Sequence, residues 1–148
     1  MGDLSPHFSR REFTCPCGCG FDKVDETLVQ SLEALRSNLG DELGEEVVIQ
    51  VHSGCRCPQH NRAVGGVPTS LHLLGKAADI HVQTRTGRQV LDLAQVAASA
   101  ARVSAFYRGG IGVYERHLHL DIRGKTARWG KPWRAQSKSA ASANGEGN

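Results

Sequence analysis

The sequence lacks the features of a membrane or secreted protein. No stretch approaches the roughly 18 consecutive apolar residues that a membrane-spanning helix needs. The first residues, MGDLSPHFSRREF, contain neither the apolar stretch nor the small-residue cleavage site of a secretory signal. We therefore expect a protein with no integral membrane association, which stays in the cytoplasm as synthesised unless another factor releases it.

The sequence also lacks the even number of cysteines that a disulfide framework requires. Its five cysteines, in a chain without an export signal, are expected to be reduced. Four of them could together hold a structural metal ion: Cys15, Cys17, Cys19 and Cys57. Their C-x-C steps differ from the C-x-x-C of a zinc knuckle, so a redox-formed crosslink, or a tight Gly-rich turn with buried thiols that include Cys55, stays open.

A strong charge of either sign is absent, since the net charge is +3 and the pI is near 8.7. The cations are spread along the chain apart from one loose cluster, formed by Arg123, Lys125, Arg128, Lys131 and Arg134. Such a cluster could favour an anionic polymer, but it does not indicate a nucleic-acid partner.

The length of 148 residues suits a single domain with one core and one cleft. Residues 136–148 consist mainly of Ser, Ala, Gly and Asn and contain little that could be buried. We predict a folded domain over residues 1–134 and a disordered tail over residues 135–148.

Two helices are predicted from apolar residues at helical spacing. The first begins at Asp25 and ends at Gly40, where a glycine suits a C-terminal cap. The second begins at Thr86 or Gly87 and continues to about Ala101, and its mostly small side chains indicate close packing against a sheet. The apolar positions are Leu28, Leu32, Leu35 and Leu39 in the first helix and Val90, Leu91, Ala94, Ala97 and Ala101 in the second.

Strands are predicted where polar and apolar side chains are segregated. Residues 47–52 are rich in β-branched side chains, and residues 77–82 have Asp79 and His81 on one face. Residues 111–114 and 117–123 are expected to form a hairpin. In its second arm the side chains alternate, with His117, His119, Asp121 and Arg123 on one face and Leu118, Leu120 and Ile122 on the other.

A long loop rich in glycine and proline is predicted over residues 55–75, with one helical turn near residues 59–64. A loop of this length inside a small domain is more often functional than structural. We therefore expect residues of this loop to contribute to a functional site.

Histidine and carboxylate side chains concentrate in two stretches, SLHLLGKAAD and HLH. Imidazole and carboxylate ligands suit a catalytic zinc ion, which takes three protein ligands and keeps a fourth position for water. His72 precedes a glycine that lets the chain turn, Asp79 arrives on the following strand, and His119 would come from the adjacent strand. These three residues are the predicted zinc ligands. His81, on the same strand face as Asp79, is a rival ligand that spacing alone leaves open.

An ordered set of four motifs runs along the chain. They are SGCRCPQHN at residues 53–61, the pair Gly65-Gly66, Ser70-x-His72-x-x-Gly75-x-Ala77-x-Asp79, and His117-x-His119-x-Asp121-x-Arg123. Together they resemble the zinc D-Ala-D-Ala carboxypeptidase family over about residues 8–129. The resemblance implies the hedgehog/DD-peptidase fold, which is a single α+β domain with a small antiparallel sheet that carries the zinc site and two main helices packed against it.

The same resemblance implies roles for individual residues. His72, Asp79 and His119 would be the zinc ligands, His117 the acid/base residue, and Arg56 the group that binds the substrate carboxylate. A planar guanidinium matches a carboxylate well, although Arg56 could instead brace its loop by hydrogen bonds to backbone carbonyls.

One position departs from the wider superfamily. Some dipeptidases in it have a Glu three residues before the last histidine ligand as general base, but here Arg116 stands at that position, with Glu115 one residue further back. A site of the His117 type is therefore the better match. Asp121 could orient a zinc-bound histidine, or it could simply pair with Arg123.

The implied function is that of a zinc metallopeptidase that hydrolyses D-Ala-D-Ala or related bonds of peptidoglycan stem peptides, in the cell wall or periplasm after release. Two alternatives stay open: a phage-lysis endopeptidase that cuts an internal stem or crosslink bond, and a non-catalytic zinc-containing binding module of the same fold. His117 favours an enzyme, because a binding module needs no acid/base group beside the metal. A third alternative, a redox or metal-storage protein based on the cysteine cluster, would not explain the pattern of His and Asp residues.

Overall fold

A five-stranded sheet in the order β1-β2-β4-β3-β5 forms one layer of the protein, and helices form the other. The computed structural model describes residues 2–130, so the predicted tail at residues 135–148 lies outside the described residues. The strands are β1 (Val47–Ser53), β2 (Ala77–Thr84), β3 (Gly110–Val113), β4 (Leu118–Asp121) and β5 (Ala127–Gly130). The predicted α+β class is confirmed.

Helix α1 (Glu26–Leu43) begins as predicted and ends one turn later than predicted. The side chain of Asp25 accepts a hydrogen bond from the backbone N–H of Thr27 at 2.8 Å, which caps the N-terminus. The predicted end at Gly40 is wrong, because the chain stays helical until Gly44 adopts a left-handed conformation with φ of 71°. The N–H of Gly44 donates to the carbonyl of Gly40, so Gly40 belongs to the last turn.

The second main helix, α3 (Leu93–Ala100), is shorter than predicted. The side chain of Asp92 accepts a hydrogen bond from the N–H of Gln95 and caps the helix there. Before this cap the chain turns back along β2, and Val90 forms a bridge with Gln83. Val90 is therefore 62% exposed and lies outside the helix whose apolar face it was expected to share.

Within residues 2–130, four short helical segments accompany the two main helices: a 3-10 turn at Arg10–Glu12, α2 (Pro58–Ala63), a 3-10 turn at Leu71–Leu74 and α4 (Ser104–Tyr107). Segment α2 confirms the helical turn predicted within the long loop. No helix within residues 2–130 is both long enough and apolar enough to cross a membrane.

The core lies between the helices and one face of the sheet. The four leucines predicted for α1 are all fully buried, and they belong to the same cluster as Ile80, Leu118 and Leu120 of the sheet. Burying one such side chain contributes about 1.5–3 kcal/mol. Side chains alternate along a strand, so the polar side chains of β2 and β4 lie on the opposite face of the sheet, away from the core and the helices.

The pairing of the strands positions the polar residues. Strands β2 and β4 are antiparallel, and Asp79 lies directly opposite His119. Strands β1 and β2 are also antiparallel, and a bulge after Val51 brings Ser53 opposite Asp79. The chain that leaves β1 therefore enters the long loop beside Asp79.

The sheet is antiparallel except at one edge, where β5 runs parallel to β3. This strand was not predicted, because four residues are too few for an alternation of polar and apolar side chains to stand out. Its pairing brings Trp129 opposite Gly112, where an added Cβ would lie 2.2 Å from the indole ring. A glycine at this position therefore lets Trp129 lie across the sheet.

Candidate metal centre and active site

Asp79 and His119 meet because their strands are paired in register. Cross-strand neighbours project to the same face of a sheet, and here the Nδ1 atom of His119 lies 3.2 Å from Oδ1 of Asp79. Both side chains are 13% exposed. The two residues thus form a largely buried pair that still reaches the surface.

His72 joins this pair from the 3-10 turn. The side chain of Ser70 accepts a hydrogen bond from the N–H of His72, and Gly75 ends the turn with φ of 70°. The Nδ1 atom of His72 donates to the carbonyl of Gly54 at 2.6 Å, so in the neutral imidazole Nε2 is the nitrogen with the lone pair, and it lies 3.3 Å from Oδ1 of Asp79. Among residues 2–130, this Nε2 is the only buried side-chain nitrogen or oxygen without a hydrogen-bond partner.

The three predicted zinc ligands form a compact set. One ligand atom each from His72, Asp79 and His119 lies within 4.8 Å of the other two. Zinc bonds of about 2.0–2.1 Å arranged as a tetrahedron give ligand atoms that are about 3.4 Å apart. The contacts of 3.2 and 3.3 Å around Asp79 match this spacing, and the unpartnered Nε2 of His72 is the kind of atom that a metal ion would satisfy. The donor set therefore fits zinc.

His119 is oriented by a second carboxylate. Its Nε2 atom lies 2.7 Å from Oδ2 of Asp121, a fully buried residue. The Arg123 guanidinium donates to the same carboxylate, from Nη2 to Oδ2 at 2.7 Å and from Nε to Oδ1 at 2.9 Å. The N–H of Gly110 donates to the same carboxylate. An ionised Asp121 accepts the Nε2 proton of His119, so in the neutral imidazole Nδ1 is the nitrogen with the lone pair that could bind a metal ion. Both roles considered for Asp121, orienting a histidine and pairing with Arg123, occur together.

The electrostatics keep both carboxylates ionised. Burial raises the pKa of Asp79, but the His119 and His72 imidazoles beside its carboxylate, at 3.2 and 3.3 Å, favour the ionised form and hold this pKa well below its usual range. Burial likewise opposes ionisation of Asp121, and its bonds with His119 and Arg123 hold its pKa well below the ordinary value. An ionised Asp79 is the form in which a carboxylate binds a metal ion.

His117 and Arg56 approach the other oxygen of Asp79. The Nε2 atom of His117 lies 3.9 Å from Oδ2 of Asp79, and Nη2 of Arg56 lies 3.8 Å from the same atom. Desolvation lowers the pKa of His117, and the nearby His119, His72 and Arg56 lower it further against the attraction of Asp79. The lowered pKa favours the neutral imidazole, which can accept a proton.

Arg56 also braces its loop. Its Nη1 donates to Oδ1 of Asn61 at 2.8 Å, and the amide of Asn61 donates to the carbonyl of Val67. At Gly66 an added Cβ would lie 2.7 Å from this guanidinium, so the loop closes tightly over it. Arg56 therefore does brace its loop, through the side chain of Asn61. Its other terminal nitrogen, Nη2, still faces Asp79.

The rival ligand His81 has a different partner. Its Nδ1 atom lies 2.6 Å from Nε2 of His52. Within residues 2–130, His81 is not part of a group of three or more potential ligands around one point. Glu115, the other acidic residue considered, is exposed and lines a surface cleft together with Arg116.

The sequence did not indicate that two aromatic side chains, Tyr114 and Trp129, lie beside the site. Tyr114 stacks on His117 at 4.6 Å, Trp129 lies 5.2 Å from the ring of His119, and the indole N–H of Trp129 donates to the Tyr114 hydroxyl. Tyr114 also lines the surface cleft, which has a volume of about 980 Å³. The other residues that line this cleft are His52, His81, Val90, Leu91, Asp92, Leu93, Ala94, Val113, Glu115 and Arg116. The sequence shows that residue 129 is aromatic, but it does not show that the segment around Trp129 pairs with the strand that contains Gly112.

A second group of potential metal ligands lies in the N-terminal region. The sulfur atoms of Cys15, Cys17, Cys19 and Cys57 are all within 4.8 Å of one another, and Cys55 is not part of this group. All five cysteines are free thiols, as predicted.

An α+β domain with a largely buried carboxylate between two imidazoles, and a third imidazole nearby, has the donors of a mononuclear zinc hydrolase. The peptidase M15 family model matches residues 6–121, and the chain belongs to this family. It is therefore a zinc-dependent peptidase of a family that acts on peptidoglycan-related substrates. No curated protein matches the chain.

Proposed function

We propose that the protein is a carboxypeptidase that removes the terminal D-Ala from peptidoglycan stem peptides ending in D-Ala-D-Ala, with His72, Asp79 and His119 as zinc ligands. One observation carries the proposal. Oδ1 of Asp79 lies within 3.3 Å of both ligand imidazoles, while His117 and Arg56 approach its Oδ2 at 3.9 and 3.8 Å. A metal, a proton-transfer group and a carboxylate-binding group would thus share one small volume.

The ligand residues supply a site that zinc suits, with an open position for water. Bound zinc lowers the pKa of its water to about 7 and polarises the scissile carbonyl. His72 and His119 present opposite ring nitrogens, Nε2 and Nδ1, because Gly54 and Asp121 bind the other nitrogen of each ring. These partners fix the tautomers before substrate arrives, which keeps the reorganisation on binding small.

His117 is the proposed proton carrier. Its side chain is 33% exposed, so it can reach both the attacking water and the departing amine. Stacking on Tyr114 holds the ring plane, and the lowered pKa keeps it neutral and able to accept a proton near neutral pH. The proton taken from water is then available at Nε2 for the amine that leaves.

Arg56 is the proposed anchor for the terminal carboxylate of the substrate. Its side chain is 14% exposed, and its attachment to Asn61 limits the number of rotamers, so little conformational entropy remains to be lost on binding. A charge-assisted hydrogen bond of this kind contributes about 1.5–3 kcal/mol. A free C-terminal carboxylate next to the scissile bond is the feature that distinguishes a carboxypeptidase substrate from an internal bond.

The test is digestion of purified muropeptides, with mass analysis of the products, by the wild type and by Arg56→Lys. A carboxypeptidase releases free D-Ala from pentapeptide stems, and Arg56→Lys should raise KM about 10-fold or more while the zinc content stays unchanged. Cleavage of a crosslink or an internal stem bond would instead identify an endopeptidase. A zinc-loaded protein that binds muropeptides and cuts none would identify a binding module.

A further inference from the structure

The four clustered cysteines have the spacing of a tetrahedral metal site. The sulfur of Cys15 lies 3.5 Å from that of Cys17 and 3.8 Å from that of Cys57, and the sulfurs of Cys17 and Cys57 are 3.6 Å apart. A zinc ion with four bonds of about 2.3 Å to sulfur requires sulfur atoms about 3.8 Å apart. A disulfide would need about 2.05 Å, so the observed distances match a shared metal ion and not a crosslink.

The backbone around the cluster supports charged thiolates. Backbone N–H groups of Phe21, Cys57 and His60 each donate to a cysteine sulfur at 3.4 Å, the acceptors being Cys19, Cys15 and Cys57 respectively. Such bonds stabilise negative charge on sulfur. Gly18 and Gly20, both with φ of 86°, give the left-handed turns that allow three cysteines within five residues to face one point.

Packing alone does not account for the cluster. Cys17 and Cys19 are exposed, whereas a thiol that serves as a small apolar core residue is buried. Cys55 shows the contrast, since it is buried and its thiol donates to the carbonyls of Phe13 and Phe21. The exposed thiols of Cys17 and Cys19 therefore lie beside the buried thiols of Cys15 and Cys57. The four sulfur atoms are close enough together to bind one metal ion.

We propose that Cys15, Cys17, Cys19 and Cys57 bind a structural zinc ion, distinct from the ion at the His72 site. Four sulfur donors in a tetrahedral arrangement suit zinc, and all four positions would be filled by protein, as in a structural site. Binding releases the protons of the four thiols to water and involves no change of oxidation state.

This ion would join the N-terminal segment to the loop that forms the active site. Cys57 follows Arg56 directly and caps α2, and the N–H of Arg56 donates to the carbonyl of His72 at 3.0 Å. On the other side, Cys15 lies in a segment whose Phe13 accepts a hydrogen bond from Cys55. The only described helical element before α1 is a single 3-10 turn at Arg10–Glu12, so a metal crosslink would substitute for regular structure there.

The experiment compares metal content in Cys19→Ser and Cys55→Ser of the full chain, each purified under reducing conditions. We expect two zinc ions per chain in the wild type and in Cys55→Ser, and one in Cys19→Ser. Cys19 is exposed, so its substitution disturbs the packing little, and Cys55→Ser keeps a hydrogen-bond donor at a matched cysteine outside the cluster. Loss of the ion should lower Tm by roughly 5 °C or more.

One further measurement separates this site from the catalytic one. Replacement of the zinc by cobalt(II) should give the strong near-ultraviolet absorption of cobalt–thiolate bonds in the wild type and in His72→Ala, and a weaker band in Cys57→Ser. Serine retains the N-cap function of Cys57, so this variant should still fold. One zinc in the wild type, unchanged zinc in Cys19→Ser, iron in place of zinc, or fewer than five free thiols after metal removal under reductant-free conditions would each overturn the proposal.

Discussion

The ring of His119 lies between two carboxylates, and its Nε2 atom is 2.7 Å from the buried Oδ2 of Asp121. Oδ2 of Asp121 also accepts a hydrogen bond from Arg123, whose guanidinium lies over the Trp129 ring at 5.4 Å. A carboxylate partner of this kind increases the basicity of the opposite nitrogen of the imidazole. If His119 is a zinc ligand, as proposed, we expect the affinity for zinc to depend on Asp121, which would not itself contact the metal.

From this contact we predict that Asp121→Asn lowers zinc affinity by about 10- to 100-fold, because the amide cannot hold the His119 proton as strongly. Competition with a chelator at pH 7 measures the change. Asp92→Asn is the matched control, since it also removes one carboxylate and asparagine caps a helix equally well. Equal zinc affinity for the two variants would contradict the proposed role of Asp121.

The second prediction separates metal binding from catalysis. His119→Ala should lose the zinc of the His72 site, because one of three protein ligands is removed. His117→Ala should keep that zinc and lower kcat by about 10²- to 10⁴-fold, since only proton transfer is lost. Metal analysis of both variants, together with hydrolysis of a peptide ending in D-Ala-D-Ala, tests the assignment. Full zinc content in His119→Ala would show that the ligand set is wrong.

The third prediction concerns the turn that presents His72. Gly75 has φ of 70°, and an added Cβ would lie 2.6 Å from the backbone oxygen of Lys23. Gly87→Ala is a matched control, because Gly87 has a similar φ of 78° and open space at its Cβ. A left-handed alanine costs about 1–2 kcal/mol, which both variants share, and the backbone clash adds about 1–3 kcal/mol to Gly75→Ala alone.

Urea unfolding of the two variants measures this difference. Gly75→Ala should also bind zinc more weakly, because relief of the clash moves the turn that carries His72. If the two alanine variants were equally stable, the close approach of Lys23 to Gly75 would not be a constraint on the fold.

The fourth prediction concerns the attachment of the N-terminal segment to α1. Glu33 accepts hydrogen bonds from the Ser5 hydroxyl and the His7 N–H, and its Oε1 lies 2.8 Å from the His7 ring. Burial raises the pKa of Glu33, but these bonds outweigh it and lower the pKa below the ordinary value of 4.5. A carboxyl with a lowered pKa in the folded state stabilises the protein above its unfolded pKa, and this contribution is lost as the pH falls through the folded value.

Glu33→Gln should therefore reduce the free energy of unfolding by about 1 kcal/mol at pH 7, a value typical of partly exposed hydrogen bonds and ion pairs. The difference from the wild type should shrink as the pH falls below the unfolded pKa. Urea unfolding at a series of pH values measures it. Glu46→Gln, which removes an exposed ion pair with Arg85, is the control and should have a smaller effect. A deficit that grew in acid would contradict the assigned direction.

Much of the framework follows from local sequence patterns. The spacing of four leucines predicted α1, and the alternation from His117 to Arg123 predicted the strand that carries His119. The same type of pattern misled at Val90, whose apolar side chain fits a helix but is exposed where the chain forms a bridge with Gln83 of β2. It also misled at Gly40, because a helix accepts a glycine and ends only where the backbone becomes left-handed.

The chemical character of the site was likewise readable in the sequence. Two histidines and an aspartate in two short motifs indicated a zinc site, and the motif order indicated the family. Whether His81 or His119 would lie beside His72 was undetermined, because both share strand faces with polar neighbours. Pairing of β2 with β4 in the register Asp79 to His119 resolves that question, while His81 contacts His52.

Residue types, periodicity and motif order thus came from the sequence, because they depend on neighbours a few positions away. Contacts between distant segments came from the folded chain. His119 and Asp79 are 40 positions apart, and Cys15 and Cys57 are 42 apart. Such pairs form only when strand register and loop closure are fixed by burial of the whole core. For this reason the arrangement of the His72 site, the role of Asp121 and the tetrahedral spacing of the cysteines were decided by tertiary packing.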